Sequence, residues 1–339
     1  MNLPLPIRLL LWPFSVVYGL AAQSHAWLYA QGIYSKKHLN APVVSVGNLT
    51  LGGTGKTPMV LWLAEKFLEQ HKRVAILSRG YRGTAGTSDE VQMMKERLGD
   101  RVIFGVGPDR FKEGRRIETE NPVSVFLLDD GFQHLELVRD FDLVMVDSTT
   151  FDSNGGLLPA GNMREPLSAL RRASAVVLTR TRGEGVNSAA VQAIREVADL
   201  PTFCAETRLL GFRCVSGDGK RVPGREAGPP QPVFAFCGIG NPDAFFSDVK
   251  SWGVEVAGNK VFRDHHVYTA RDLRILEEQA QLVGAKALLT TEKDLQNLAK
   301  LRFTKLPLFC CKIAIDVRDG EALCALIKKK IAARPGFAE

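Results

Sequence analysis

Eight consecutive residues, Thr50-Leu51-Gly52-Gly53-Thr54-Gly55-Lys56-Thr57, restrict this chain more than any other feature in it. They follow a short apolar run, Val43-Val44-Ser45-Val46, and precede an amphipathic segment over 59–67. A glycine-rich loop between a strand and a helix is the setting in which a phosphate loop works. Glycines let the backbone approach phosphate oxygens, and the first helical turn presents unpaired N–H groups to an anion. In that reading all eight residues line a nucleoside triphosphate, Lys56 reaches its outer phosphates and the Thr57 hydroxyl ligates Mg²⁺. The first position, usually glycine, is Thr50. The competing reading is a glycine-rich turn with an incidental lysine, and the strand before it and helix after it argue against that.

Short apolar runs at 74–77, 102–106, 123–128, 143–146 and 175–178 alternate with helical stretches around 109–120, 165–173 and 187–198. Continuous apolar strands separated by helices predict a parallel sheet covered on both faces, whose ligands gather at the strands' carboxyl ends. The run Val125-Phe126-Leu127-Leu128 ends in Asp129-Asp130, about seventy residues after the loop, which has the form of a Walker B element. An oxygen-seeking cation beside the phosphates needs such carboxylates, so Asp129 and Asp130 join Thr57 as the expected metal-side residues.

Between 206 and 232 glycine and proline crowd the chain, and Asp218-Gly219 carries a hairpin signal. A second alternation follows, with strands at 233–236, 254–261, 287–289 and 308–317, helices near 242–251 and 270–283, and a last helix after Gly320. The expected organisation is an α/β phosphate-loop domain over 1–205, a two-stranded linker over 206–232 and a smaller α/β domain over 233–339.

With 45% apolar and 24% charged residues the chain has the makings of a full core, and its net charge of +7 suits anionic ligands. No nucleic-acid module is legible and Lys and Arg are scattered, so no nucleic-acid partner is expected. Six cysteines lack metal-site or redox spacing and read as reduced thiols. From 9 to 35 there is no Asp, Glu, Lys or Arg, with Arg8 before and Lys36-Lys37 after. A secretory signal would carry the nucleotide loop away from ATP, and a spanning helix would be interrupted by Pro13, Gln23, Ser24 and His25. An interfacial helix with Trp12, Phe14, Trp27 and Tyr29 near the headgroups fits better, against a core helix as the alternative.

The loop with its flanks (Val46 to Pro58), Ser78-Arg79-Gly80-Tyr81-Arg82-Gly83, Asp129-Asp130-Gly131-Phe132-Gln133-His134, Leu158-Pro159-Ala160-Gly161, Arg164-Glu165-Pro166, Asp264-His265-His266 and Thr290-Thr291-Glu292-Lys293-Asp294 form an ordered set. Together they resemble the tetraacyldisaccharide 4′-kinases, the lipid A 4′-kinases of Gram-negative bacteria. The resemblance implies ATP-dependent phosphorylation of a sugar hydroxyl on a membrane glycolipid, a disaccharide 1-phosphate, yielding lipid IVA at the cytosolic face of the inner membrane. It implies two α/β domains joined by a two-stranded linker with the cleft between them, Mg²⁺ with ATP as substrate, and a peripheral or monotopic monomer. Thr50 is then the family's own choice at the first loop position.

The family's catalytic carboxylate matches Asp89, within Thr87-Ser88-Asp89-Glu90-Val91, where Ser88 and Val91 replace the family's glycine and proline. Its second-domain histidine matches His265, so Asp89, His265 and Lys56 are the expected catalytic residues. A sugar hydroxyl is a poor nucleophile, and an Asp that accepts its proton late in transfer, tuned by a histidine, meets that need. Taken alone, Asp89 reads as a helix N-cap and His265 as a solvated loop residue. Arg79 and Arg82 could clamp phosphate or cover the surface. A membrane-recruited ATPase switch would share the loop, but such proteins carry lysine where this chain has Leu51. A soluble small-molecule kinase would leave 9–35 with no purpose beyond packing.

Overall fold

The computed structural model describes residues 4–80, 88–152, 155–181, 188–215, 228–298, 301 and 305–334. In chain order the elements are α1 (Leu5–Ala30), β1 (Val43–Asn48), α2 (Lys56–Glu69), β2 (Val74–Ser78), α3 (Asp89–Leu98), β3 (Val102–Val106), α4 (Arg110–Glu120), β4 (Val125–Asp129), β5 (Phe141–Asp147), β6 (Ala175–Thr179) and α5 (Ser188–Val197). Then come β7 (Thr202–Val215), β8 (Val233–Cys237), α6 (Pro242–Ser251), β9 (Val256–Val261), α7 (Ala270–Leu282), β10 (Ala287–Thr291), α8 (Glu292–Leu298), β11 (Leu308–Val317) and α9 (Gly320–Ala332). The Asp218-Gly219 hairpin signal and Arg82 lie outside the described residues.

The chain packs as two compact units, Met1–Arg79 with Leu98–Glu206 and Ile315–Glu339, and Gly80–Arg97 with Thr207–Ala314. This differs from the expected division in two places. Helix α3 belongs to the second unit, because Arg97 pairs with Glu292, Glu96 with Arg213, and Asn297 reaches Asp89. Helix α9 belongs to the first, where a Cβ on Gly320 would stand 2.7 Å from the Trp62 ring and Arg334 pairs with Asp140. Of the expected linker over 206–232, Thr207–Val215 forms the end of one long strand, β7, and residues 216–227 lie outside the described residues.

The first unit has a phosphate-loop NTPase-like α/β fold. Its strands lie in the order β3-β2-β4-β1-β5-β6-β7, each pair parallel. Strands β1, β2, β4, β5 and β6 are buried at every position, as continuous apolar runs require when helices cover both faces. The register sets Val46 beside Asp129 and Asn48 beside Met145, so the end of β1, where the loop begins, neighbours the carboxylates that end β4. The expected helix over 165–173 is a 3₁₀ turn, Leu167–Arg172, that starts directly after Pro166.

In the second unit β11, β10, β8 and β9 form a parallel array. Phe236, Leu276, Leu288, Leu298 and Cys310 fill one apolar cluster there, and Val249, Ala287, Leu289 and Phe309 another. All six cysteines are free thiols, and burial pushes Cys237 up to about 12, consistent with an inert core role.

Helix α1 is not a core helix. Only Ser15 and Gly19 are buried along it, while Leu9, Leu10, Trp12 and Phe14 are each more than 60% exposed. Its footing is a row of small residues. Ser15 Oγ accepts the Ala160 N–H at 2.9 Å, and a Cβ on Gly19 would meet Leu157 Cδ1 at 2.5 Å.

Candidate active site

The first unit carries the phosphate loop. Gly55 has φ +88°, the left-handed conformation open to glycine, and from it the chain turns into α2 with Lys56 as its first residue. The loop is tied down by its neighbours. Asn48 Nδ2 donates to the Thr50 carbonyl at 2.7 Å, the Leu51 N–H to the Asn162 carbonyl at 2.7 Å, and Thr179 Oγ1 to the Thr54 carbonyl at 3.3 Å. Beneath it Gly47 admits Phe132, whose Cβ would lie 2.4 Å from a Cβ at that position.

Strand β4 delivers the two carboxylates into different surroundings. Asp129 is buried and accepts from Ser78 Oγ at 3.3 Å. Asp130, one residue past the strand, has φ +50°, a conformation uncommon outside glycine. That turn aims its carboxylate at two cations: Arg164 Nη1 contacts both oxygens at 3.0 and 2.8 Å, and Lys56 Nζ lies 3.5 Å away. Burial would raise the Asp130 acid, but Lys56 and Arg164 hold it below the usual carboxylate range.

Behind Asp130 stands a relay of polar groups. Gln133 Oε1 accepts from Arg164, while Gln133 Nε2 donates to the Asn48 carbonyl and to Glu165. Glu165 in turn binds Arg172, whose guanidinium lies 4.0 Å from the centre of the Phe132 ring. The Gly131-Phe132-Gln133-His134 continuation thus braces the strand end. Burial and the Arg110 charge bring His134 down to about 4, so it is neutral in physiological solution.

Arg110 was not legible as a site residue. It opens α4 after the Asp109 cap and is 91% buried, and its Nε has no partner among the described residues. Burial and the neighbouring Arg79 lower its pKa, while Asp130 and Asp129 act the other way. A buried guanidinium with an idle N–H, within electrostatic reach of Asp129 and Asp130, is a group suited to an anion.

The second unit carries Asp89 and His265 together. Ser88 caps α3, its Oγ accepting the Val91 N–H at 3.3 Å, so Asp89 is the first helical residue and is not needed as the cap. Its buried carboxylate receives two contacts on one oxygen: Asn297 Nδ2 at 2.8 Å and His265 Nδ1 at 3.3 Å from Oδ2. Asn297 carries no sequence signal that would have found it.

His265 is held in the left-handed region, φ +57°, by its own N–H, which donates to the Gly238 carbonyl and to Asp264 Oδ1. The Gly238 N–H donates to Asp294 Oδ1, and Tyr268 and Thr291 complete that buried carboxylate's partners. His265 is therefore a braced residue rather than a solvated loop one. The Asp89 bond raises its pKa above the ordinary histidine value, against burial and the charge of Lys293.

Comparison with known proteins gives the family of the whole chain. A family model described as LpxK, tetraacyldisaccharide-1-P 4′-kinase, matches residues 7–332. A tetraacyldisaccharide 4′-kinase of Geobacter metallireducens is 36% identical over 337 residues, covering 94% of this chain and 97% of its own. One of Desulfotalea psychrophila is 34% identical, with coverages of 89% and 90%. The crystal structure of LpxK from Aquifex aeolicus in complex with ATP superposes with a TM-score of 0.72 at 32% identity, covering 96% and 99% of the two chains.

Proposed function

This chain belongs to the tetraacyldisaccharide-1-phosphate 4′-kinase family, and from that premise we propose that it transfers the γ-phosphate of ATP to the 4′-hydroxyl of a tetraacyldisaccharide 1-phosphate, forming lipid IVA. The loop over Thr50–Thr57 cradles the phosphates, and Lys56 supplies positive charge to the outer ones. Its resting partner, Asp130, keeps Arg164 when Lys56 turns to the nucleotide, so no carboxylate is left bare. Arg110 adds a buried cation on the same unit.

Asp89 accepts the proton of the acceptor hydroxyl as the bond to phosphorus forms, and Nδ1 of His265 holds and tunes that carboxylate. The Asp89–His265 contact is the observation that carries this reading. A slow ATPase that passes phosphate to water has no use for a buried carboxylate braced by a strained histidine and an asparagine.

The oxygen donors near the loop suit Mg²⁺. Thr57 offers a hydroxyl in the first turn of α2, and Asp129 a buried carboxylate at the end of β4 that accepts from Ser78 Oγ. Asp130 is engaged with Lys56 and Arg164 and is the weaker candidate of the two. When bound there with ATP, Mg²⁺ would offset charge on the phosphate oxygens.

Helix α1 supports the lipid side of the reading. Its exposed Leu, Trp and Phe side chains suit an interfacial position on the cytosolic face of the inner membrane, with the protein as a peripheral or monotopic monomer. The experiment is direct. Incubation with γ-labelled ATP and a disaccharide 1-phosphate lipid should place label on the lipid; label released only to water would reject the reading.

A further inference from the structure

One charged side chain beside His265 has no part in the steps above. Lys293 lies in the first turn of α8 with its side chain 18% exposed. Its ammonium faces three acceptors: Asp264 Oδ1 at 3.0 Å, Glu90 Oε1 at 3.3 Å and His265 Nε2 at 3.3 Å. An ammonium has three N–H bonds and no lone pair, so it can only donate. The imidazole nitrogen it meets must accept and is therefore unprotonated. A neutral ring has one N–H, which then sits on Nδ1, the atom 3.3 Å from Asp89 Oδ2.

We propose that Lys293 is a positioning residue that fixes the tautomer of His265, occupying Nε2 so that Nδ1–H is delivered to Asp89. The inference rests on the assignment of Asp89 as the base and names the group that keeps its histidine in the useful form. Without that group either ring nitrogen could carry the proton, and the Nε2–H form would turn a lone pair toward the carboxylate.

The charges around the ring are consistent with this role. Asp89 and Glu90 face it from α3, Asp264 from its own turn and Lys293 from α8. Burial would lower the Lys293 pKa, but Glu90 and Asp264 hold it above its ordinary value, so the ammonium stays charged. A doubly protonated ring would aim Nε2–H at an ammonium, and Asp264 Oδ2, at 3.9 Å, is too far to accept that proton in a hydrogen bond. Lys293 thus opposes the imidazolium that Asp89 favours.

The test uses the full chain labelled with ¹⁵N, read by imidazole ¹H–¹⁵N correlations at a pH where the ring is neutral. The His265 signal is identified among the six histidines by its loss in His265→Gln. The wild type should show Nδ1–H. Lys293→Met should shift the ring toward Nε2–H and move its titration to higher pH. It should also lower kcat by about ten- to hundredfold with ATP affinity unchanged, the scale of losing an orienting partner. An Nε2–H ring in the wild type overturns the proposal and needs no variant to fold. So does a Lys293→Met enzyme that is merely less stable, with wild-type tautomer and pH profile. Full turnover in His265→Gln beside an Nδ1–H wild type would instead reject the catalytic reading and leave the tautomer assignment standing.

Discussion

Replacing Asp89 and His265 singly and together tests whether they act as one device. The Asp89 carboxylate takes two contacts on Oδ2, from Asn297 at 2.8 Å and His265 at 3.3 Å. A hydrogen bond to a charged group is worth about 1.5–3 kcal/mol, and about 1.4 kcal/mol is tenfold in rate. His265→Ala should therefore slow transfer by about 10- to 150-fold if the whole bond is felt in the transition state. Asp89→Asn removes the proton acceptor itself, a loss of about 10²–10⁴-fold. Independent residues would give a double variant down by about 10³–10⁶-fold. Because the histidine works through the carboxylate, the double variant should be no slower than Asp89→Asn alone. Initial rates of label transfer to lipid at saturating ATP, with nucleotide affinity measured separately by equilibrium binding, decide it. Losses that multiply would refute the shared role, and so would a His265→Ala defect confined to ATP affinity.

Three further outcomes are expected. The raised pKa of His265 contributes stability that is complete below the unfolded histidine value of about 6.5 and fades as pH rises through the folded value; denaturation of wild type against His265→Gln should show a larger gap at pH 6 than at pH 9, and an equal gap would contradict it. Lys56→Ala should abolish most lipid phosphorylation yet melt near the wild type, since Asp130 retains Arg164; near-normal turnover at saturating ATP would remove the loop from the chemistry. Removing residues 1–30 should weaken flotation with anionic vesicles while leaving a soluble fold, because α1 is anchored mainly through Ser15 and Gly19; undiminished flotation would place the membrane contact elsewhere.

The parts of the fold that were legible are those where one local pattern decides the outcome. Apolar runs such as Val43–Asn48 and Phe141–Asp147 are buried on both faces and have no other conformation that hides them. The full length of strand β7 escaped because most of its residues are partly exposed and Gly211 interrupts it, leaving no continuous apolar run. The grouping of α3 with the second unit was equally hidden. It depends on Arg213, Glu292 and Asn297, more than a hundred residues further along the chain. At the site, the phosphate loop and Asp129-Asp130 announce themselves by spacing. The left-handed turns that aim Asp130 and His265 do not, since neither residue type demands one. Arg110 looks like any charged residue of an amphipathic helix until its burial is seen.

The segment over 157–164 has a mechanical consequence. Leu157 and Ala160 grip the middle of α1; Asn162 and Met163 pair with Leu51 and Thr50; Arg164 closes on Asp130. One short span of backbone thus joins the apolar helix to the nucleotide cradle. A 26-residue helix is about 39 Å long, so its two ends overhang this mount like the arms of an outrigger. If the arms rest on lipid, the span acts as a spacer of fixed height. The distance from the bilayer plane to the phosphates is then set by eight residues and is insensitive to how deeply the tips of α1 sink.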